Sequence, residues 1–433
     1  MSAASRLIPA VLAILPLVAG GAAGAENGLG DKPYMGWSSW SCFDKNINEA
    51  KIRAEADCLA LRLKQFGYVY INVDAGWTDH CDQYGRSQPD DSKFPSGIKA
   101  LADYVHSKGL KFGIYSQPGI PQVAYDANCP ILGTSYHLHD VGDLSRLGNT
   151  LGKDFVFLDV TKPGARQYIQ SNVDLLASWG IDFIKLDFVG PYAGKKQTDN
   201  RAELAVWANA LKNCGRPVWV ELSNNLDVAY IDDWRKDANG WRIEGDIEAH
   251  KKGILTNWAH VLRRFTRVVP WAEFAGPGGW NDLDSLEIGN GDHDGLTIDE
   301  RCTAMTLWCI SCAPLYLGAD LRNLDETDYR IITNSGAIAV DQAGHPTHRI
   351  AELDNAEIWM ADNGDGSFTV AMFNLADQRQ TVTAMWSDLG FHGPAKIRDV
   401  WQNAELGTFD DHFSARLNAH ASRLLSITPL TQR

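Results

Sequence analysis

A chain of 433 residues with 45% hydrophobic content can bury a large core, in one barrel-sized unit with a smaller companion or in two to three domains. Its formal charge of -14 excludes a nucleic-acid binder, since phosphate neutralisation needs basic patches, and suits a neutral substrate. Most of the 15 tryptophans are expected in the core, but Trp also offers flat faces to sugars.

The N-terminus reads as an address. Residues 1–6 carry one positive charge, 7–18 are apolar, and Ala23-Gly24-Ala25 forms an A-x-A cleavage site before Glu26. The apolar run breaks at Gly20-Gly21, short of the roughly 18 residues that a membrane span needs. Residues 1–25 are therefore expected to be a signal peptide, leaving an exported protein, periplasmic or secreted, with no membrane span. Export permits disulfides. Of the eight cysteines, Cys42, Cys81 and Cys129 follow strand-like runs in loops and are the expected bridge formers. Cys309 and Cys312 make a C-x-x-C inside an apolar run with no second pair, which argues against zinc.

From about 32 to 335, apolar runs alternate with amphipathic stretches such as 52–66 and 100–108. Eight strands are expected: 34–40, 68–73, 111–115, 183–186, 218–221, 240–243, 271–275 and 314–318. Glycines at 67, 109 and 180 sit where a helix ends and a strand begins. Eight such units predict an α/β fold, a (β/α)₈ barrel over 26–342, although a doubly wound sheet would also alternate. After about 345 the character changes. Short strands at 356–360, 367–373, 380–385, 396–401 and 422–427, separated by turns such as Asn363-Gly364-Asp365-Gly366, predict a C-terminal antiparallel β-sandwich over 343–433.

Barrel chemistry gathers at the C-terminal ends of the strands. Those ends carry Trp37 and Trp40, then Asp74, Tyr115, Lys185 with Asp187, Glu221 with Ser223 and Asn224, and Arg242 with Glu244 and Asp246. The seventh strand leads into Trp280, Asp282 and Asp284. Lys185 and Asp187 are spaced by two, so both point into the mouth. The lysine favours an ionised Asp187, a nucleophile candidate, while Asp246 would face it from strand 6 and keep a proton. Carboxylates facing one another beside Trp, Lys and Arg are equipment for breaking a glycosidic bond. Each has a plainer reading. Asp187 could cap a helix, Glu244 competes with Asp246, Asp282 could belong to an Asx turn, and Trp37 and Trp280 could be packing. His137 and His139 form an H-x-H, but in a loop, where they do not suit a metal centre.

These residues resemble glycoside hydrolase family 27, the α-galactosidase (melibiase) family. The matching stretches include Pro33-Tyr34-Met35-Gly36-Trp37-Ser38-Ser39-Trp40, Ile71-Asn72-Val73-Asp74, Lys185-Leu186-Asp187, Trp241-Arg242 with Asp246-Ile247, and Ala275-Gly276-Pro277-Gly278-Gly279-Trp280-Asn281-Asp282-Leu283-Asp284. The match runs from 33 to about 342, and the C-terminal sandwich resembles the family's second domain. The resemblance implies a retaining, exo-acting α-glycosidase with an oligo- or polysaccharide substrate and no metal or organic cofactor. It makes Asp187 the nucleophile and Asp246 the general acid/base. Trp40, Asp74, Tyr115, Lys185, Glu221, Arg242 and Asp284 would line the sugar pocket, with Glu221 and Arg242 on the 2-hydroxyl. One position departs. The family's galactosidases carry two adjacent aspartates after strand 2, on the 4- and 6-hydroxyls, whereas here the second is Ala75. The stretches 115–120 and 221–227 look more like the isomaltodextranase-type branch, which acts on α-1,6-linked glucose chains. That branch and a non-catalytic sugar-binding barrel are the alternatives.

Overall fold

The computed structural model of the protein describes residues 27–146, 154–194, 198–251 and 253–430, so the expected signal peptide lies outside the described residues. The first eight major strands are β1 (Met35–Ser38), β2 (Tyr70–Val73), β3 (Lys111–Ser116), β4 (Phe183–Leu186), β5 (Trp219–Leu222), β6 (Gly240–Arg242), β7 (Trp280–Asp282) and β8 (Leu315–Leu317). All pairings are parallel, in the order β7-β6-β5-β4-β3-β2-β1-β8. The ring closes beyond the end of β7. There the Leu286 N–H donates to the Tyr316 carbonyl (2.7 Å), and the Leu286 carbonyl accepts from the Gly318 N–H (3.1 Å).

Strands this short and apolar are stable only when covered on both faces. Helices do the covering. Gly97–Ser107 buries Ile98, Leu101, Ala102 and Val105, one face at i, i+3, i+4 and i+7. Ala165–Trp179 stops at Gly180, whose φ of 90° is left-handed and costs glycine nothing. Inside the ring, Tyr34, Tyr70, Phe183, Trp219 and Tyr316 form an aromatic floor. Tyr34 stacks on Tyr316 at 5.4 Å between centroids and meets Tyr70, Phe183 and Trp219 edge-on.

The expected strand at 271–275 is corrected. Residues 271–274 lie in the 3₁₀ segment Val269–Phe274, into which the helix Trp258–Val268 runs directly, and Ala275 is its extended C-cap. Pro270, just before the expected strand, sits in the first turn of that segment, where its missing N–H costs nothing, and Trp271 and Ala272 are buried from it. β7 begins at Trp280, after a turn in which Gly276 and Gly279 exchange hydrogen bonds (3.0 and 2.9 Å).

The C-terminal domain holds β9 (Thr347–Leu353), β10 (Ala356–Asp362), β11 (Phe368–Asn374), β12 (Gln380–Met385), β13 (Pro394–Asp399), β14 (Ala404–Asp410), β15 (His412–Leu417) and β16 (Ser422–Pro429). A six-stranded sheet, β9-β10-β11-β16-β13-β14, faces the pair β12-β15, all antiparallel. Three of these strands, β9, β14 and β15, were not expected. Polar residues interrupt the first two, whereas β15 alternates cleanly, burying Phe413, Ala415 and Leu417. The sandwich is fixed to the barrel helices Ile298–Ile310 and Trp258–Val268. His420 lies 2.6 Å from Glu300 of the first through Nδ1 and stacks on Trp258 of the second, whose Phe265 meets Phe373 edge-on.

All eight cysteines are free thiols, so the bridges expected at Cys42, Cys81 and Cys129 are not made. Several thiols are occupied otherwise, Cys42 facing the Ser39 carbonyl, Cys214 that of Arg216, and Cys312 that of His345.

Candidate active site

Strand register assembles one side of the site. Tyr115 on β3 is level with Lys185 on β4, which is level with Glu221 on β5. Level residues of neighbouring strands share a face, here the barrel interior. Lys185 Nζ donates to Asp74 Oδ2 (2.7 Å) at the end of β2. The lysine thus pairs with Asp74, not with Asp187 as its spacing suggested. Asp187 instead accepts from the Tyr115 hydroxyl (3.1 Å) and from the Phe188 N–H (2.8 Å). Phe188 is left-handed, with φ 56°, an uncommon state for a bulky residue, held at the residue that follows Asp187. Burial, then the charges of Asp187 and Asp74, hold the Tyr115 phenol well above its usual pKa, so it remains a donor. Burial opposes the Lys185 charge, but Asp74, Asp187 and Asp284 outweigh it and raise the ammonium pKa.

Arg242 organises the other side. It reaches Asp246 (2.5 Å) and Asp284 (3.3 Å), with Arg264 a further 3.8 Å contact to Asp284. Asp284 also accepts from the Ile247 N–H (2.9 Å) and the Tyr316 hydroxyl (3.1 Å). Its own backbone is left-handed at φ 81°, and its N–H is held by Asp282 Oδ1 (2.7 Å), so the Asx turn expected of Asp282 is formed. Burial works against Asp284's charge, but Arg242, Arg264 and Lys185 overcome it and keep its pKa below the carboxylate norm. Asp282 goes the other way. Burial, then Asp284's charge, lift it to about 6. Asp246 is far more open than Asp284, with 37% of its side chain exposed against 4%.

Glu221 joins the halves. Trp219 Nε1 donates to its Oε2 (2.9 Å), and burial, then Asp282, push its pKa well up. Gly240 admits it: a Cβ there would stand 2.1 Å from Glu221 Oε2. Trp40 is half-buried on the single turn that follows β1, while Trp37 and Trp280 are fully buried and donate to the Ala319 and Gly30 carbonyls. Glu244 is drawn off by Arg267 (3.2 Å). His137 caps the short helix Leu138–Val141, and His139 packs on Tyr125, away from this constellation. Asp246, Glu248 and His250 gather at the mouth, each with an oxygen or nitrogen within 4.8 Å of the others.

Six residues around this mouth carry buried polar atoms with no partner among the described residues: Asn72, Gln117, Tyr192, Glu221, Ser223 and Arg242. Such atoms are costly unless a polar ligand or water satisfies them. Sequence reading missed Tyr316, which looked like core in an apolar strand, and the buried acids Glu248 and Glu287, whose only signal was a carboxylate close to Asp246 and to Asp284.

An eight-stranded barrel with a carboxylate-lined mouth and a cradle of hydrogen-bonding groups defines the glycoside hydrolases built on this fold. Two family profiles match the chain, one described as alpha galactosidase A over residues 32–129 and 148–343, the other as the alpha galactosidase C-terminal beta sandwich domain over 354–427. The α-galactosidase of Cyamopsis tetragonoloba is 33% identical over 413 residues, 94% of this chain and 88% of that protein. That of Coffea arabica is 34% identical, covering 93% and 95%. The solved β-L-arabinopyranosidase of Geobacillus stearothermophilus superposes with a TM-score of 0.86 at 31% identity, covering 93% of this chain and 98% of that one. The chain belongs to glycoside hydrolase family 27 and is an α-galactosidase-type hydrolase with a carbohydrate substrate.

Proposed function

We propose that the protein is an exported, exo-acting retaining glycosidase in which Asp187 is the nucleophile and Asp246 the general acid/base. Asp187 attacks the anomeric carbon of a terminal sugar while the bond to the leaving oxygen breaks, and Asp246 gives that oxygen its proton. Asp246 then takes a proton from water as the water oxygen attacks the same carbon, and the bond to Asp187 breaks. The supporting observation is the pairing pattern. Among the described residues the Asp187 carboxylate is held only by a phenol and a backbone amide, leaving it free to act, while Asp74 and Asp284 are each fixed by a cation, Lys185 and Arg242. The unpartnered atoms of Glu221 and Arg242 suit the sugar's 2-hydroxyl, a contact that strengthens as positive charge develops.

Ala75 shapes the choice of sugar. Its N–H donates to Asp74 Oδ1 (2.7 Å), so Asp74 stays in place while the neighbouring side chain offers no acceptor. That favours a galactose-configured ring with little or nothing at C5, the reading that the β-L-arabinopyranosidase relative supports. A panel of aryl α-galactoside, aryl β-L-arabinopyranoside and dextran tests it, with arabinopyranoside cleaved at least as well as galactoside. Isomaltose release from dextran without cleavage of either aryl glycoside would replace this reading with an α-1,6-glucan hydrolase. NMR of the first-formed sugar tests the mechanism, and an inverted anomer removes Asp187 from its role. Sequencing of the mature N-terminus tests export, with Glu26 the expected first residue.

A further inference from the structure

The carboxylates of the mouth are aimed by different means. Asp74 and Asp284 are held by Lys185 and Arg242, whereas Asp187 depends on the Tyr115 hydroxyl and the Phe188 N–H. Whatever holds that hydroxyl therefore bears on Asp187. Gln117, just beyond the end of β3, donates a side-chain N–H to the hydroxyl oxygen (2.9 Å). Tyr115 and Gln117 are spaced by two, which puts both side chains on the face that looks into the barrel. Pro118 comes next, and a residue before proline is steered away from helical backbone, so the alternation carries on past the strand end. The Asp187 N–H donates to the Ser116 carbonyl (3.0 Å), which ties together the backbones that carry all three side chains. From β4, Lys185 Nζ stands over the Tyr115 ring, 5.9 Å from its centroid.

We propose that Gln117 is a positioning residue that acts on Asp187 through Tyr115, fixing the direction of the phenol's one hydrogen. This rests on the reading of Asp187 as the nucleophile. A phenol has a single hydrogen to give, and its oxygen can also accept. Two acceptors beside it would compete for that hydrogen, whereas a donor on one side leaves it to the other. With the Gln117 N–H pointed at the oxygen, the hydrogen goes to Asp187 Oδ2 (3.1 Å) and holds the carboxylate in one orientation. A nucleophile already aimed at the anomeric carbon gains rate from orientation alone. Gln117 makes no other side-chain hydrogen bond among the described residues, and its Oε1 is buried without a partner there. A half-satisfied buried amide costs stability, so packing alone would favour an apolar side chain at this place. The hydroxyl that the amide feeds accounts for its presence.

Gln117→Met keeps the length of the side chain and removes the donor; Gln117→Ala removes both. On a dinitrophenyl glycoside of the sugar that the panel selects, departure needs no proton, and kcat/KM reports the attack by Asp187. Both variants should lower it about 5- to 30-fold. The free sugar should still inhibit with a Ki within about threefold of wild type, because the pocket stands and only the aim of the nucleophile is lost. In the Tyr115→Phe background there is no hydrogen to direct, so the same substitutions should change kcat/KM by less than about twofold. A loss carried undiminished into that background overturns the inference. So does wild-type kcat/KM in both single variants, or a Ki that rises as far as kcat/KM falls. The reading of Asp187 fails separately, if Asp187→Asn keeps turnover within about tenfold of wild type.

Discussion

The floor and the mouth of the barrel are built from the same strands and could hardly differ more. The floor is four aromatic rings gathered around a fifth, Tyr34; the mouth is a lattice of acids, arginines and a lysine. On β5 the two meet within two residues, Trp219 in the floor donating its indole N–H to Glu221 in the mouth. Along a strand that is only about 7 Å. The floor gains stability from burial and ring contacts. The mouth gives some away, because charges and unpartnered polar atoms are held in a fixed, partly dry arrangement. Rigid apolar packing below is what lets the groups above stand ready without relaxing onto one another.

Substitutions at the two ends should therefore separate activity from stability. Asp187→Asn is expected to lower turnover by about 10⁴-fold or more with little change in unfolding midpoint, read by kinetics and calorimetry together. Asp246→Ala should cost about 10²- to 10⁴-fold on a poor leaving group and much less on an activated aryl glycoside. Ala75→Asp should raise the ratio of α-galactoside to β-L-arabinopyranoside kcat/KM by about 5- to 150-fold, the worth of one buried hydrogen bond of about 1–3 kcal/mol. At the floor, Phe183→Leu should cost about 1–2 kcal/mol of stability and leave kcat/KM within about threefold.

Asp282 sits at the boundary and adds a pH test. Its folded pKa of about 6 lies above the unfolded value of roughly 3.9. The folded state then binds the extra proton, so this group's contribution to stability falls as pH rises from about 4 to about 6, and levels off above. Asp282→Asn should escape that loss. Relative to wild type it should gain about 2–3 kcal/mol between pH 4 and pH 7, measured by denaturant unfolding at both.

Much of this was legible in the sequence, because strand ends and period-two spacing are local. Asp74, Tyr115, Lys185, Asp187, Glu221, Arg242, Asp246 and Asp284 all sit at the mouth where their positions on the chain put them. Partnership was not legible. Lys185 is two residues from Asp187, yet bonds Asp74, 111 residues away and two strands along the sheet, since the side chains that meet inside a barrel are set by register across strands. β7 was misplaced because Trp271-Ala272-Glu273-Phe274-Ala275 is apolar enough for a strand, and only Pro270 just before it, suited to the first turn of a helical segment, speaks against it. The hydrogen bonds that Ser41 gives Glu248 and Ser285 gives Glu287 were invisible because they draw on the loops beyond three different strands.

The ring's closing hydrogen bonds have a consequence for how the enzyme fails on heating. They are made by Leu286, two residues from Asp284 and next to Glu287, so the seam and the acids share one short stretch of backbone. Any breathing of the seam displaces the acids with it. Amide exchange at Leu286 and Gly318 should quicken, and catalysis fade, at temperatures where the sandwich still melts as a unit.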